Sequence, residues 1–219
     1  MDTRERLLLT AERLFAERGL HGVSMREITR EAGQKNVSAL YYHFGSRNEV
    51  IEAIFEKRMN GIDARRRKML ETVESVEASD RLRAVVAALV WPIAERLFEP
   101  EDSRHYVRFL ANVLNSPNTK IGEMVGEKFD HGLRRAFVLI RDMVPDVAEP
   151  LLRQRFLLIQ HNTAFALIGM ELAMARRHES GGVFDLERAV ENLIDMTVAA
   201  IAAPVTEKTR ALLDKVRAA

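Results

Sequence analysis

Residues 33–47 read GQKNVSALYYHFGSR, and within them Tyr41, Tyr42 and His43 stand side by side in a polar run. A buried helix surrounds such rings with aliphatic neighbours, and a catalytic centre sets a carboxylate or another activating group close by. Neither occurs here. No Asp or Glu lies between Glu31 and Glu49, while Lys35, His43 and Arg47 fall inside that window, so the local field favours an anion. Two phenols, an imidazole and two cations suit phosphate oxygens and base edges better than bond-making chemistry. The six histidines, at 21, 43, 105, 131, 161 and 178, are never paired at helical ligand spacing. There is no phosphate-cradling glycine loop, no Gly-x-Ser-x-Gly turn and no His-Glu-x-x-His pattern. The expectation is a binding protein, not an enzyme, with no cofactor and no metal.

These residues must be positioned by helices. Nearly every segment repeats at the helical period and none alternates as a strand does, so the expected fold class is all-α. A first helix spans about residues 3–18, with Leu7, Leu8, Ala11, Leu14 and Phe15 on one stripe, and Gly19 stops it. The Ser-x-x-Glu spacing of Ser24 and Glu27 marks a capping box that starts a short helix closed by Gly33. Asn36, a good N-cap, opens a third helix that ends at Gly45. A second capping box, SRNE at 46–49, opens a fourth that continues toward Glu77. Two short helices around a Gly-led turn, supported on both sides, make a helix-turn-helix unit over residues 1–48.

Residues 49–219 form the larger helical unit. Pro92 is expected to kink or break the helix that starts at Ser79 or Asp80. Further helices are expected to stop before Pro117 and, from Lys120, before Pro145. Two strong ones follow at about 148–178 and 185–203, and the tail after Pro204 allows one more.

The chain has 219 residues, 47% hydrophobic and 30% charged, which is a globular composition with enough apolar area for a sizeable core. It has no cysteine, which excludes disulfides, thiolate metal sites and cysteine nucleophiles. The charged N-terminus lacks a signal-peptide pattern, and a cytoplasmic location is expected. Residues 1–60 carry ten Lys or Arg against nine Asp or Glu, and the remainder 23 against 23, so only the acid-free window argues for nucleic acid. The most apolar stretch, 156–175, holds Gln160, His161, Asn162 and Glu171, which argues against a membrane span. The RRRK run at 65–68 lies about twenty residues along the fourth helix, roughly 30 Å from the helix-turn-helix unit, and reads as a solvated face.

In a helix-turn-helix the second helix enters the major groove by its N-terminal residues. Here that presents Val37, Ser38 and Ala39 to base edges, small enough for close approach and suited to a thymine methyl. Tyr41, Tyr42 and His43 follow with groups for phosphates or bases, and Arg47 offers a cation in the first turn of the fourth helix. Leu40 and Phe44, four residues apart, are core.

The order of helix, SMREITREAG, turn, SALYYHFGSRNEVI and long helix resembles the N-terminal DNA-binding domain of TetR-family transcriptional regulators over about residues 4–55, most specifically at LYYHFGSR. The resemblance implies DNA contacts at Tyr41 and His43, a phosphate contact at Arg47, and a helix-two position at Arg26 that also reaches DNA. The turn QKNVS, with Lys35 and Asn36, runs one residue longer than the family's usual turn. It further implies a homodimer on a palindromic double-stranded operator, controlled by a small-molecule effector bound in the C-terminal domain.

The sequence is compatible with that. The helix at 148–178 has one apolar stripe through Phe156, Ile159, Thr163, Leu167, Met170 and Met174, and another through Leu158, His161, Phe165, Ile168, Leu172 and Ala175. A helix apolar on two sides needs two partners, and a second subunit meeting it and the helix 185–203 is the simplest source of the second. Trp91, Phe98, Tyr106, Phe109, Phe129, Phe137 and Phe165 are candidates to line an effector pocket, and Arg104, His105, Asn112, His161 and Asn162 to anchor a ligand, although an ordinary core accounts for most of the rings equally well. The expected function is a ligand-responsive regulator, a repressor released by a small apolar or aromatic effector. The alternatives are an activator of the same fold and a helical small-molecule-binding module that does not read DNA.

Overall fold

A computed structural model describes residues 2–34, 36, 38–100, 104–116 and 131–217, and among these there is no strand. The helices are α1 (Thr3–Arg18), α2 (Met25–Glu31), α3 (Ser38–Phe44), α4 (Arg47–Glu71), α5 (Arg81–Ala94), α6 (His105–Leu114), α7 (His131–Met143), α8 (Glu149–Glu179), α9 (Leu186–Ala202) and α10 (Glu207–Arg217).

The N-terminal punctuation acts largely as its residue types dictate. Gly19, Gly33 and Gly45 all take positive φ, between 70° and 75°, the left-handed geometry that ends a helix at no steric cost to glycine. Ser24 and Ser46 each accept the amide three residues on, at 3.2 and 3.3 Å. The reciprocal half of each capping box is missing, because Glu27 ion-pairs with Arg18 of α1 and the carboxylate of Glu49 lies against Gly45. The Asn36 side chain accepts from the Ser38 amide at 2.9 Å and so opens α3.

Two expected boundaries shift. Helix α4 stops at Glu71, short of Glu77, because the Thr72 hydroxyl donates to the Met69 carbonyl at 2.9 Å and the chain tightens into a 3-10 turn over Val73–Ser75. Pro92 does not break α5 at once. The helix runs two residues further and then narrows to a 3-10 turn over Glu95–Phe98. Of the helix expected from Lys120, His131 onward is described and ends before Pro145; residues 120–130 lie outside the described residues.

Two cores share α4. The first gathers Leu7, Leu14 and Phe15 of α1, Ile28 of α2, Leu40 and Phe44 of α3, and the first half of α4 to Ile62. It also takes Tyr106, Phe109, Leu110 and Val113 from α6, so this core extends past residue 48. The second core lies among α5, α7, α8 and α9. Helix α8 is long and apolar enough to cross a membrane by composition, yet Phe156, Ile159, Thr163 and Leu167 bury one stripe of it in that core. Arg155 and Glu171 on the same helix donate to the Ile201 carbonyl and accept from Arg108.

Polar joints fix α4 to its neighbours. Arg58 donates through Nε to both oxygens of Glu12 at 3.1 and 3.0 Å, and burial of that carboxyl raises its pKa despite the guanidinium beside it. Further along, Asp63 accepts the Gly132 amide at 3.1 Å and pairs with Arg67 at 3.1 Å, tying α4 to the start of α7. On α6, the Asn112 amide donates to the Phe15 and Ala16 carbonyls at 2.8 and 3.2 Å, satisfying the end of α1.

Candidate nucleic-acid interface

Helix α3 is anchored by two of its seven residues and presents the others. Leu40 and Phe44, one turn apart, are buried in the first core. Between them Tyr42 is 87% exposed and Tyr41 52%, two adjacent rings held outside the core with their hydroxyls free to bond a partner. His43 is half-buried, with its ring edge-on to Tyr42 at 5.3 Å between centroids. Ser38 is exposed and Ala39 half-buried at the helix's N-terminal end, and Asn36 is exposed just before it. Lys35 and Val37 lie outside the described residues.

Arg26 on α2 is exposed and forms no ion pair among the described residues. Arg4, which the sequence reading did not single out, is exposed at the start of α1 with its guanidinium 5.0 Å from the centre of the Phe44 ring. Its position beside α3 follows from the way α1 packs across α3, a tertiary fact that the charged MDTRER terminus does not signal by itself. Arg47 is placed differently from a fully extended phosphate ligand. It is half-buried with its guanidinium 5.6 Å from the centre of the Phe15 ring, Nη2 has no hydrogen-bond partner among the described residues, and burial depresses its pKa. The result is a face that carries rings and cations: hydroxyls and guanidinium groups can bond phosphate oxygens, and α3 is narrow enough for a major groove.

The residues considered for an effector site are not gathered into one cavity among the described residues. Trp91 stacks on the exposed Phe98 at 6.1 Å and donates Nε1 to Glu191 at 2.8 Å. Arg104 donates to the Glu99 carbonyl at 2.6 Å. Tyr106 and Phe109 are fully buried against Phe55 in the first core, where burial pushes the Tyr106 phenol above its ordinary range. Asn112 is engaged with α1 as described, and His105 sits at the start of α6 with burial lowering its pKa. His161 and Phe165 lie on the outer side of α8, the histidine Nδ1 2.9 Å from the Leu157 carbonyl.

That outer side has a regular pattern. Leu158, Phe165 and Leu172 recur every seven residues along α8 and are all exposed, as is Met196 on α9. Helix α9 adds exposed Ala199 and Ala200 beside it.

Comparison with known proteins gives the family. Residues 7–54 match the model for bacterial regulatory proteins of the tetR family, and residues 87–200 match the tetracyclin repressor-like C-terminal domain. The HTH-type transcriptional activator FasR of Mycolicibacterium smegmatis is 33% identical over 87 residues, 40% of this chain and 38% of that protein. The HTH-type transcriptional repressor KstR2 of the same organism is 33% identical over 72 residues, 33% of this chain and 35% of that protein. These matches thus span little more than a third of either relative. Among solved structures, the TetR family regulator PfmR from Thermus thermophilus superposes with a TM-score of 0.56 at 20% identity, covering 94% of this chain and 99% of the other. FadR from Bacillus subtilis, in complex with stearoyl-CoA, gives 0.53 at 14% identity, covering 90% and 98%. With an exposed helix held out by two anchors, a long helix shared by two cores, and both halves of the chain matched, this protein belongs to the TetR family of bacterial regulatory proteins.

Proposed function

We propose that the protein is a cytoplasmic transcriptional repressor that binds a palindromic double-stranded operator as a homodimer and is released by a small apolar or aromatic effector. The observation that carries this reading is the outward pair Tyr41 and Tyr42 on a helix anchored by the buried Leu40 and Phe44. Tyr41, Tyr42 and His43 contact backbone and bases; Ser38, Ala39 and Val37 approach base edges; Arg26, Arg47, Lys35 and Asn36 take phosphates and the turn region. Arg47 reaches its phosphate by leaving the Phe15 ring.

The homodimer forms through α8 and α9. The seven-residue recurrence of Leu158, Phe165 and Leu172 supports a helix-on-helix seam, and the small Ala199 and Ala200 permit close approach. Two subunits then set their α3 helices in successive major grooves, about 34 Å apart or a multiple of that. Because α4 runs from the reading face into the second core, it is the lever by which an effector favouring one conformation shifts the population away from DNA.

The test is selection of genomic fragments with the purified protein, followed by footprinting. A palindromic protected site is the expected result, with derepression of the adjacent genes when the regulator's gene is deleted. A folded, dimeric protein that enriches no fragment refutes the DNA reading, and loss of expression on deletion assigns activation instead. The second direction has a specific basis, since the two relatives above are named for opposite effects.

A further inference from the structure

A groove of about 540 Å³ lies between α7 and α8, in the unit to which the effector is assigned above, and the inference drawn from it rests on that reading. Its floor is apolar, formed chiefly by Phe137, Phe156 and Leu157, and its rim carries Arg134, Arg141 and Arg153, with no acidic side chain in the lining. The two phenylalanine rings meet edge to face at 5.4 Å, and the Arg153 guanidinium stands 5.0 Å from the centre of the Phe137 ring. Its size is within the range of small-molecule sites.

Arg141 and Arg153 have partners, but replaceable ones. Arg141 pairs with its neighbour Asp142 at 2.9 Å, and Arg153 with Glu149 one turn away at 2.5 Å, both at the exposed surface. Ion pairs of that kind are worth little, so exchange for an incoming anion is inexpensive. The guanidinium groups of Arg141 and Arg153 over an aromatic floor complement a molecule with one flat apolar body and one anionic end. The seam on α8 does not compete for this surface. Phe156 and Phe165 are nine residues apart, which at about 3.6 residues per turn puts them on opposite sides of the helix.

We propose that this groove is a binding site for an aromatic carboxylate, its ring seated on Phe137 and Phe156 and its carboxylate held by the arginine rim. The site also has a mechanical connection: α7, which forms one wall, is joined to α4 through the Gly132 amide and Asp63.

The experiment is calorimetric titration of the full-length protein with 2-naphthoate, and with 2-naphthylmethanol as the uncharged comparator. One site per chain is expected, with the alcohol at least about tenfold weaker, the loss of roughly one charge-assisted hydrogen bond. Val138, 42% exposed on the groove wall, offers a variant that keeps the fold: Val138→Asp puts a like charge beside the carboxylate and should weaken 2-naphthoate by a further tenfold or more with an unchanged Tm. Arg141→Gln should weaken it several-fold. Equal binding of acid and alcohol overturns the proposal, as does an affinity unmoved by Val138→Asp and Arg141→Gln. If Val138→Asp instead changes the mass of the particle in light scattering, the groove is a protein contact and the proposal is wrong. Where the particle mass is unchanged, operator binding by the same variants should remain intact, which separates this test from that of the DNA reading.

Discussion

Replacing Gly132 by alanine should destabilise the protein, although it puts a better helix former into a helix. Helix propensity alone assigns Gly→Ala a gain of up to about 1 kcal/mol. At this position a Cβ would lie 2.4 Å from Asp63 Oδ1 and 2.9 Å from Arg66 Cδ. The first distance is too short for any carbon and oxygen, so either α7 retreats from α4 or Asp63 swings aside. Overpacking of a fitted contact costs about 1–3 kcal/mol. Loss of the 3.1 Å bond from the Gly132 amide to the Asp63 carboxylate costs about 1.5–3 kcal/mol if it is not remade. Partial relaxation makes these costs overlap, and after the propensity gain a net loss of about 2 kcal/mol remains. For a chain of this size that is a fall in Tm of roughly 4–8 °C. Thermal unfolding at one fixed protein concentration measures it, since self-association makes Tm concentration-dependent. Gly61→Ala, on an exposed stretch of α4 with nothing within 4 Å of the added carbon, is the control and should leave Tm equal or raised. A Gly132→Ala protein as stable as the wild type would refute the close contact between α4 and α7.

Arg58→Ala leaves the buried Glu12 carboxyl without its partner and should cost about 3 kcal/mol at neutral pH. Because burial already raises the Glu12 pKa above 4.5, and removing the guanidinium raises it further, that loss grows as pH climbs through the folded-state range between the two and shrinks in acid, which denaturant titrations at pH 5 and pH 8 would resolve. His105 gives the opposite dependence. Burial, ahead of the charges of Glu17, Arg13, Glu171 and Arg108, holds its imidazole below 6.5, so the unfolded chain binds a proton that the folded one resists, and stability falls as pH drops below that value. His105→Gln should flatten this slope in the same titration. Asn112→Ala should cost about 1–3 kcal/mol by stranding the Phe15 and Ala16 carbonyls, read as a lowered denaturation midpoint.

Much of the N-terminal third was legible because its signals are local. Gly19, Gly33 and Gly45 stop helices by backbone conformation, and Ser24, Asn36 and Ser46 start them by side-chain acceptance within three residues. The two apolar stripes of α8 were also legible, since a 3.6-residue period needs no knowledge of partners, and the structure buries one of them and exposes much of the other. What was not legible depends on residues distant in sequence. Glu27 and Glu49 fit capping boxes by spacing, yet Arg18 claims the first and the second turns toward Gly45. Arg47 has an unobstructed cation's sequence context, but α1 brings the Phe15 ring beneath it. The role of α6 in holding α1, through Asn112 and the Phe15 to Phe109 contact at 6.4 Å, joins positions nearly a hundred residues apart, and no window of sequence contains both.

The central claim is that the outward face of α3 reads duplex DNA. Tyr42 is almost wholly outside the fold, so Tyr42→Ala should leave Tm unchanged, and its effect on affinity for the footprinted duplex isolates recognition from stability. Fluorescence anisotropy over a series of salt concentrations should give wild-type binding whose logarithm falls linearly with the logarithm of salt, and binding by the variant at least about tenfold weaker at each concentration. Equal affinity of the two proteins, or binding indifferent to salt, would contradict the account.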